Sequence, residues 1–370
     1  MATPTLPTIP GSINELTAEW LEMALQRKAP GCRVESIAVQ RIGEGVGFLG
    51  ELARVGIVYS NNPAGTAPSS VIVKLPTNVP EPRGMAAAMG FYEREIGFYR
   101  EFSHQAGPRV PECYFVDDDP ATAGFVLVME DFPGAQAGDQ LASCTDDQAR
   151  LAVRELAKLH ARWWQSPDLD RYAWLPNKDH PFIQILKGMH QQFLPVFEEQ
   201  WAPRFDPMVL RLGRGLAEKY DAYFETLMTM PLTLAHQDYR LDNLLFGEPG
   251  TPEELVVLDW QLLQQNTGLT DLQYFIAGNL RSDARKRLTG ELLDLYYEGL
   301  RQGGVKDYTF EHCKDDFVRA SAVLGFYVVT GTATINPDAY AERGHDLIEL
   351  LFGSLCDAIV EYEAERWLPA

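Results

Sequence analysis

Cysteine is scarce and scattered in this 370-residue chain. The five cysteines, Cys32, Cys113, Cys144, Cys313 and Cys356, are odd in number, far apart and without a Cys-x-x-Cys pair. That excludes a disulfide framework and indicates a reducing compartment. No His/Cys cluster has zinc spacing. Positive charge is also short: 32 Lys and Arg stand against 52 Asp and Glu, a net charge of −20. A nucleic-acid binder needs a basic face to displace counterions, and a protein that docks on anionic lipid needs one too. Neither partner is expected. Long apolar runs are missing: a long uncharged stretch, residues 320–337, holds two glycines, three threonines and Asn336 over 18 residues. A membrane span takes about 20 predominantly apolar residues, so this stretch predicts a buried helix and its exit loop. The first eleven residues, rich in Pro and Thr, show neither the basic nor the apolar region of a secretory signal. A soluble, cytoplasmic protein is expected.

What is present suits a globular protein of two or three domains, at roughly 150 residues per domain. Hydrophobic residues make up 46%. The acid is uneven: residues 1–130 hold 10 basic and 15 acidic residues, residues 131–370 hold 22 and 37. The second part therefore presents a solvated acidic surface, one also able to attract cationic ligands.

Thr17 precedes a short amphipathic run and predicts a capped helix. Alternating or β-branched apolar runs at 34–42, 51–59 and 70–75, broken by Gly and Pro, predict strands. A helical pattern comes next over 85–106, then strands at 112–116 and 125–129. Beyond residue 130 helices dominate. Thr145 and Gln148 form a capping box, and further helices are predicted near 182–200, 208–229, 289–302, 310–331 and 338–366. Two short apolar strands, 244–246 and 255–258, flank a Gly/Pro turn. Thr270 and Gln273 predict another cap, opening a helix that carries Asp271. The expectation is an α+β protein of two lobes, a small β-rich one over 1–130 and a larger helical one over 131–370.

The sharpest constellation is His236, Asp238 and Asn243 in the order H-x-D-x-x-x-x-N, followed by an apolar hairpin and then Asp259. Phosphoryl transfer needs this set: a carboxylate to orient the attacking hydroxyl, and an amide oxygen with a second carboxylate to hold Mg²⁺ on nucleotide phosphates. The hairpin would bring Asn243 and Asp259 to one end. Upstream, Gly43, Gly45, Gly47 and Gly50 lie between two strands. Backbone N–H groups in such a turn can approach phosphates, although a plain Gly-rich hairpin has the same composition. It is not a P-loop, because it lacks Gly-Lys-Ser/Thr. Lys74 ends a Val-Ile-Val-Lys run close to the V-A-I-K form of a kinase strand; the other reading is a surface lysine on an edge strand. Its partner is a glutamate of the 85–106 helix, with Glu93, Glu95 and Glu101 in competition.

In these motifs the chain resembles the protein-kinase-like small-molecule phosphotransferases, which include aminoglycoside phosphotransferases and choline kinases, and most of all their ecdysteroid-kinase-like branch. The resemblance runs from the Gly43 loop to about Phe275. It implies a protein-kinase-like fold, ATP and Mg²⁺ as cofactors, and a small-molecule hydroxyl as acceptor. It makes Asp238 the catalytic base, Asn243 and Asp259 the metal ligands, and Glu95, in an E-x-x-F-Y pattern, the partner of Lys74 at the phosphates. It makes residues 125–134 the hinge, with the Glu130 carbonyl and the Phe132 amide offered to adenine; the same stretch also reads as an interdomain linker. It gives Asp271 the task of propping the catalytic loop. Arg240 lies where protein kinases often carry a lysine on the γ-phosphate, so it either touches the transferring group or forms an ion pair with Asp242. Many relatives have Gly where this chain has Gln237.

Other residues read as structure. His160 lies beside an apolar helical face and is expected to be packed and hydrogen-bonded, and His236 to brace the catalytic loop. Only eleven residues occupy 261–271, with no A-P-E after them and Gln261 in place of the D-F-G glycine. That leaves no room for a peptide-binding activation segment and favours a small acceptor. A cationic amino sugar or choline-like alcohol would suit the acidic charge. An apolar sterol-like alcohol would equally suit the aromatic content of 310–331. The alternative from another class, a nucleotide-binding pseudokinase acting as a binding or regulatory module, would require a missing catalytic group.

Overall fold

The computed structural model describes residues 8–43, 49–334 and 341–369. Gly45 and Gly47 lie outside the described residues. The chain divides into two compact units: one comprises the residues up to Gln105 with Val110–Gly134, the other Ala106–Arg109 with the chain from Ala135 onward.

In the first unit the helix α1 (Ala18–Leu25) opens on Thr17, whose hydroxyl accepts the Trp20 N–H at 3.1 Å. Five antiparallel strands come after it: β1 (Arg33–Ile42), β2 (Gly50–Asn61), β3 (Ser70–Pro76), β4 (Cys113–Asp119) and β5 (Gly124–Glu130), in the order β1-β2-β3-β5-β4. Strand alternation sends Val71, Val73 and Leu75 of β3 into a core with Val55, Val126, Val128 and the Trp20, Leu21 and Leu25 face of α1. Fully burying each such Val or Leu stabilises by about 1.5–3 kcal/mol. Ile72 and Lys74 point to the other face. β3 is the middle strand, so Lys74 is not on an edge. The single helix expected over 85–106 is in fact α2 (Pro80–Ala88) and α3 (Phe91–Gly97), the latter continued by a wider turn over Phe98–Phe102. The break is Gly90, at φ +69°, a left-handed residue of the kind that ends helices.

In the second unit α4 (Asp146–Arg162) carries the reciprocal capping box of Thr145 and Gln148. Beyond it lie the helices α5 (Phe182–Gln200), α6 (Pro207–Met228), α7 (Gly268–Asn279), α8 (Ser282–Gln302), α9 (Phe310–Ala320), α10 (Val323–Thr334) and α11 (Ala341–Glu361). The helix expected over 310–331 is two. The Ser321 N–H and hydroxyl both donate to the Val318 carbonyl, at 3.1 and 2.6 Å. A serine competing for backbone acceptors in this way breaks the helical register. The expected hairpin is present: β8 (Leu244–Phe246) pairs with β9 (Leu255–Val257), and β8 also pairs with β6 (Gln136–Ala137). A second, unexpected ribbon joins β7 (Leu232–Ala235) to β10 (Gln264–Thr267), Ala235 opposite Gln264. Among the described residues, no helix is long and apolar enough to cross a membrane.

Candidate active site

The ribbon and the hairpin hold the H-x-D-x-x-x-x-N segment between them. β7 delivers His236, a short turn over Leu241–Asn243 comes next, and β8 carries the chain away. The His236 ring fixes both ends of the loop: its Nδ1 accepts the Asp238 N–H at 3.2 Å, and its Nε2 lies 2.9 Å from the Leu258 carbonyl. With Nδ1 accepting, the proton is assigned to Nε2. From below, the buried Asp271 carboxylate accepts the N–H groups of His236 and Gln237, each at 2.7 Å. Asp271 also meets His160 Nε2 at 3.2 Å, and His160 Nδ1 meets the Tyr296 hydroxyl at 2.8 Å. His160 is thus packed and fully partnered. α7 begins three residues earlier than its expected cap: Thr267 is the N-cap, and the Thr270 hydroxyl turns back to the Thr267 carbonyl at 2.9 Å. Gly268 opens this helix because a Cβ there would sit 2.6 Å from the Tyr296 hydroxyl and collide with the His160 ring.

Asp238, Asn243 and Asp259 converge at the open end of the hairpin, opposite its turn. Asn243 Nδ2 donates to both the carbonyl and the Oδ2 of Asp238, each at 2.9 Å. The Leu258 N–H donates to the Asn243 carbonyl at 2.9 Å, which ties the residue before Asp259 to Asn243. Asp259 itself is at φ +62°, and Gln261 Nε2 reaches its Oδ2 at 3.3 Å. Gln237 is also left-handed, at φ +65°. Non-glycine residues in this region are strained, and such strain collects at functional sites.

Burial pushes the Asp238 carboxyl above its ordinary value. The Asp259 charge pushes it the same way, while Arg240, His236 and Asn243 pull it back. A cation between the two carboxylates would relieve that repulsion. With the amide nitrogen of Asn243 spent on Asp238, its oxygen remains as a hard donor alongside the carboxylate oxygens of Asp259. These are oxygen ligands of the type Mg²⁺ takes, so the residues present fit the ion.

Arg240 is engaged from three sides. Its Nε lies 3.2 Å from an Asp238 oxygen, and its Nη1 donates to Asp242 Oδ2 at 2.7 Å and Gln140 Oε1 at 2.8 Å. Burial works against the guanidinium charge, but Asp238 and Asp242 outweigh it and hold the pKa above its ordinary value. The sequence does not single out Gln140 and Asn279. Asn279 Oδ1 accepts the Leu241 N–H at 2.9 Å and Gln140 Nε2 at 3.3 Å. Nor does it single out Tyr274 and Tyr327. Their rings stack at 4.4 Å, and burial, then the Asp238 charge, raises the pKa of the Tyr274 phenol. A buried amide in a turn, and buried amides and aromatics on helices, give no signal in a sequence that distinguishes them from core.

In the first unit Lys74 Nζ donates to Glu95 Oε1 at 2.7 Å, with side chains 11% and 3% exposed. Glu93 and Glu101 are exposed, so geometry selects Glu95 from the three candidates. Gly43 turns at φ +72°. At Gly50 a Cβ would press on the Leu75 carbonyl at 3.0 Å and on the Lys74 stem, which keeps β2 close to β3. Glu130 ends β5, its N–H donating to the Glu112 carbonyl at 2.9 Å. Between it and Phe132, Asp131 accepts Arg54 Nε at 2.9 Å and the Ser70 hydroxyl at 2.7 Å, so this exit from the sheet is anchored.

Comparison with known proteins agrees with this architecture. Residues 44–307 match the ecdysteroid kinase-like family, and the chain belongs to it. A Ralstonia eutropha structure assigned as an aminoglycoside phosphotransferase is 17% identical, with a TM-score of 0.53, covering 96% of this chain and all of that one. An ethanolamine kinase of Plasmodium vivax is 12% identical with a TM-score of 0.51, covering 97% of this chain and 90% of that one. Both likenesses are of fold: a β-sheet N-terminal region and a helical C-terminal region, as in protein-kinase-like phosphotransferases. A curated relative, acyl-CoA dehydrogenase family member 10 of Mus musculus, is 25% identical over 194 residues. The match covers 49% of this chain and 16% of that protein's length.

Proposed function

We propose that this member of the ecdysteroid kinase-like family transfers the γ-phosphoryl group of ATP to a hydroxyl of a small molecule. The observation that carries the reading is the convergence of Asp238, Asn243 and Asp259 at the open end of one hairpin, away from its turn, on a loop fixed by Asp271. In this reading Asp238 orients the acceptor hydroxyl and takes its proton as the new O–P bond forms and the bond to ADP breaks. Such help is typically worth about 10²–10⁴-fold. Asn243 and Asp259 would hold Mg²⁺, whose charge offsets that of the phosphates. Lys74, oriented by Glu95, serves as the ammonium for the α- and β-phosphates, with Gly43 at the phosphate turn and Glu130 and Phe132 at the adenine edge. Arg240 braces the loop, since Asp238, Asp242 and Gln140 already claim it. The short path beyond Asp259 supports a small acceptor: by Gln264 the chain is already in β10, paired with β7, leaving no platform for a peptide.

The test is ADP release from Mg-ATP in the presence of choline, ethanolamine, an aminoglycoside and a sterol alcohol. Turnover that needs one of these alcohols and stops with EDTA supports the reading. Nucleotide binding with no turnover on any of them would favour a pseudokinase instead.

A further inference from the structure

Gln237 stands between the bracing histidine and Asp238. Its backbone is left-handed, at φ +65°, the conformation for which glycine is the low-cost choice. A long, polar, buried side chain in that place costs both strain and rotamer freedom. It persists where neighbouring contacts over-determine it, and here they do. The Gln237 N–H donates to Asp271 Oδ1 at 2.7 Å. Its side-chain Nε2 donates to the Thr270 hydroxyl at 2.9 Å and to Asp271 Oδ1 at 3.2 Å. Its Oε1 accepts from Gln264 Nε2 at 2.8 Å, and its carbonyl accepts from the Tyr327 hydroxyl at 3.2 Å. Each polar group of the residue is engaged, and the partners come from three elements: α7, β10 and α10.

We propose that Gln237 is a positioning residue, a latch that ties the Asp238 loop to α10 and β10 through its side-chain amide and its carbonyl. Gln237 adds a side-chain clamp on one side. On the other, the Tyr327 hydroxyl holds the peptide that leads into Asp238. The same Tyr327 ring stacks on Tyr274 at 4.4 Å, beside Asp238. The helix that carries Tyr327 is thereby coupled to the orientation of Asp238. This rests on the phosphotransfer reading for its kinetic consequence, but not for its structural one.

Two substitutions in the full-length chain test it. Gln237→Asn keeps a residue that tolerates the left-handed backbone but is one methylene too short to span the clamp. Tyr327→Phe keeps the stack and removes only the hydroxyl. Peptide-resolved amide hydrogen exchange should show at least tenfold faster exchange over residues 236–243 in both, with the α4 peptides and the melting temperature close to wild type. On an alcohol that supports turnover, kcat should fall about tenfold, on the scale of one unmade buried hydrogen bond, with the KM for Mg-ATP within twofold. Unchanged exchange over 236–243 in both variants overturns the latch, as does exchange that rises uniformly across the chain. Loss of the split, with kcat retained in both, also overturns it. If wild type turns over no alcohol in the panel, the phosphotransfer reading fails and the exchange data alone decide the latch.

Discussion

Asp259 and Arg240 sit within one loop's reach of Asp238, yet their substitution should read out differently. Asp259→Asn removes a charge without changing volume, and one of its effects, relief of the repulsion that helps raise the Asp238 pKa, does not threaten the fold. Phosphoryl transfer under saturating Mg-ATP should fall by at least 100-fold with an unchanged melting temperature. Equal turnover in mutant and wild type would remove Asp259 from the metal site. Arg240→Ala strips counter-charge from two carboxylates at once, Asp238 and Asp242. Breaking a buried ion pair on one side typically costs about 3–5 kcal/mol, so melting several degrees lower should be the first effect. A variant that keeps its melting temperature but loses kcat and kcat/KM together would instead place Arg240 on the transferring phosphate.

At the scale of elements, burial decides both what responds to pH and what a sequence can reveal. His190 of α5 is buried, donates from Nε2 to the Gly213 carbonyl of α6 at 2.8 Å and stacks on Phe326 of α10 at 5.7 Å. Burial lowers its pKa below the ordinary 6.5. The unfolded chain therefore takes up a proton below about pH 6.5 that the folded chain refuses, and the stability His190 contributes is complete above that pH and lost as pH falls through the folded value. His190→Gln should flatten the decline of the urea midpoint between pH 7 and 5. The same slope in both proteins would show that His190 does not set it.

The elements legible in the sequence are those with one face in the core and one in water. The β3 strand and the α4 helix with its Thr145 box show this contrast, while the 244–246/255–258 hairpin, with β9 wholly buried, is legible through its Gly/Pro turn. The start of α7 is not legible because all twelve of its residues are buried, so no polar face marks its period and Thr270 passes for its cap. β10, Gln264–Thr267, is entirely polar and yet a strand, because Gln264 bonds to Gln237 in the Asp238 loop and Asn266 and Thr267 to the backbone at the start of α7. The site's carboxylates and Asn243 are visible through their spacing. Gln140, Asn279 and Tyr327 act through contacts 38 to 139 positions away in sequence, and Tyr274 meets the Asp238 charge from α7. No local pattern records such contacts.

At the scale of the whole molecule, the family match over residues 44–307 takes in the Lys74–Glu95 pair of one unit and the Asp238–Asn243–Asp259 cluster of the other. In the proposed function Asp238 faces the acceptor and not the nucleotide. The most direct test is Asp238→Ala, with Mg-ATP affinity measured by calorimetry and transfer to an accepted alcohol measured in parallel. Wild-type nucleotide affinity is expected, with kcat reduced by about 10²–10⁴-fold, the range general-base help supplies. Lost nucleotide binding with kcat retained, or undiminished transfer, would contradict that role for Asp238.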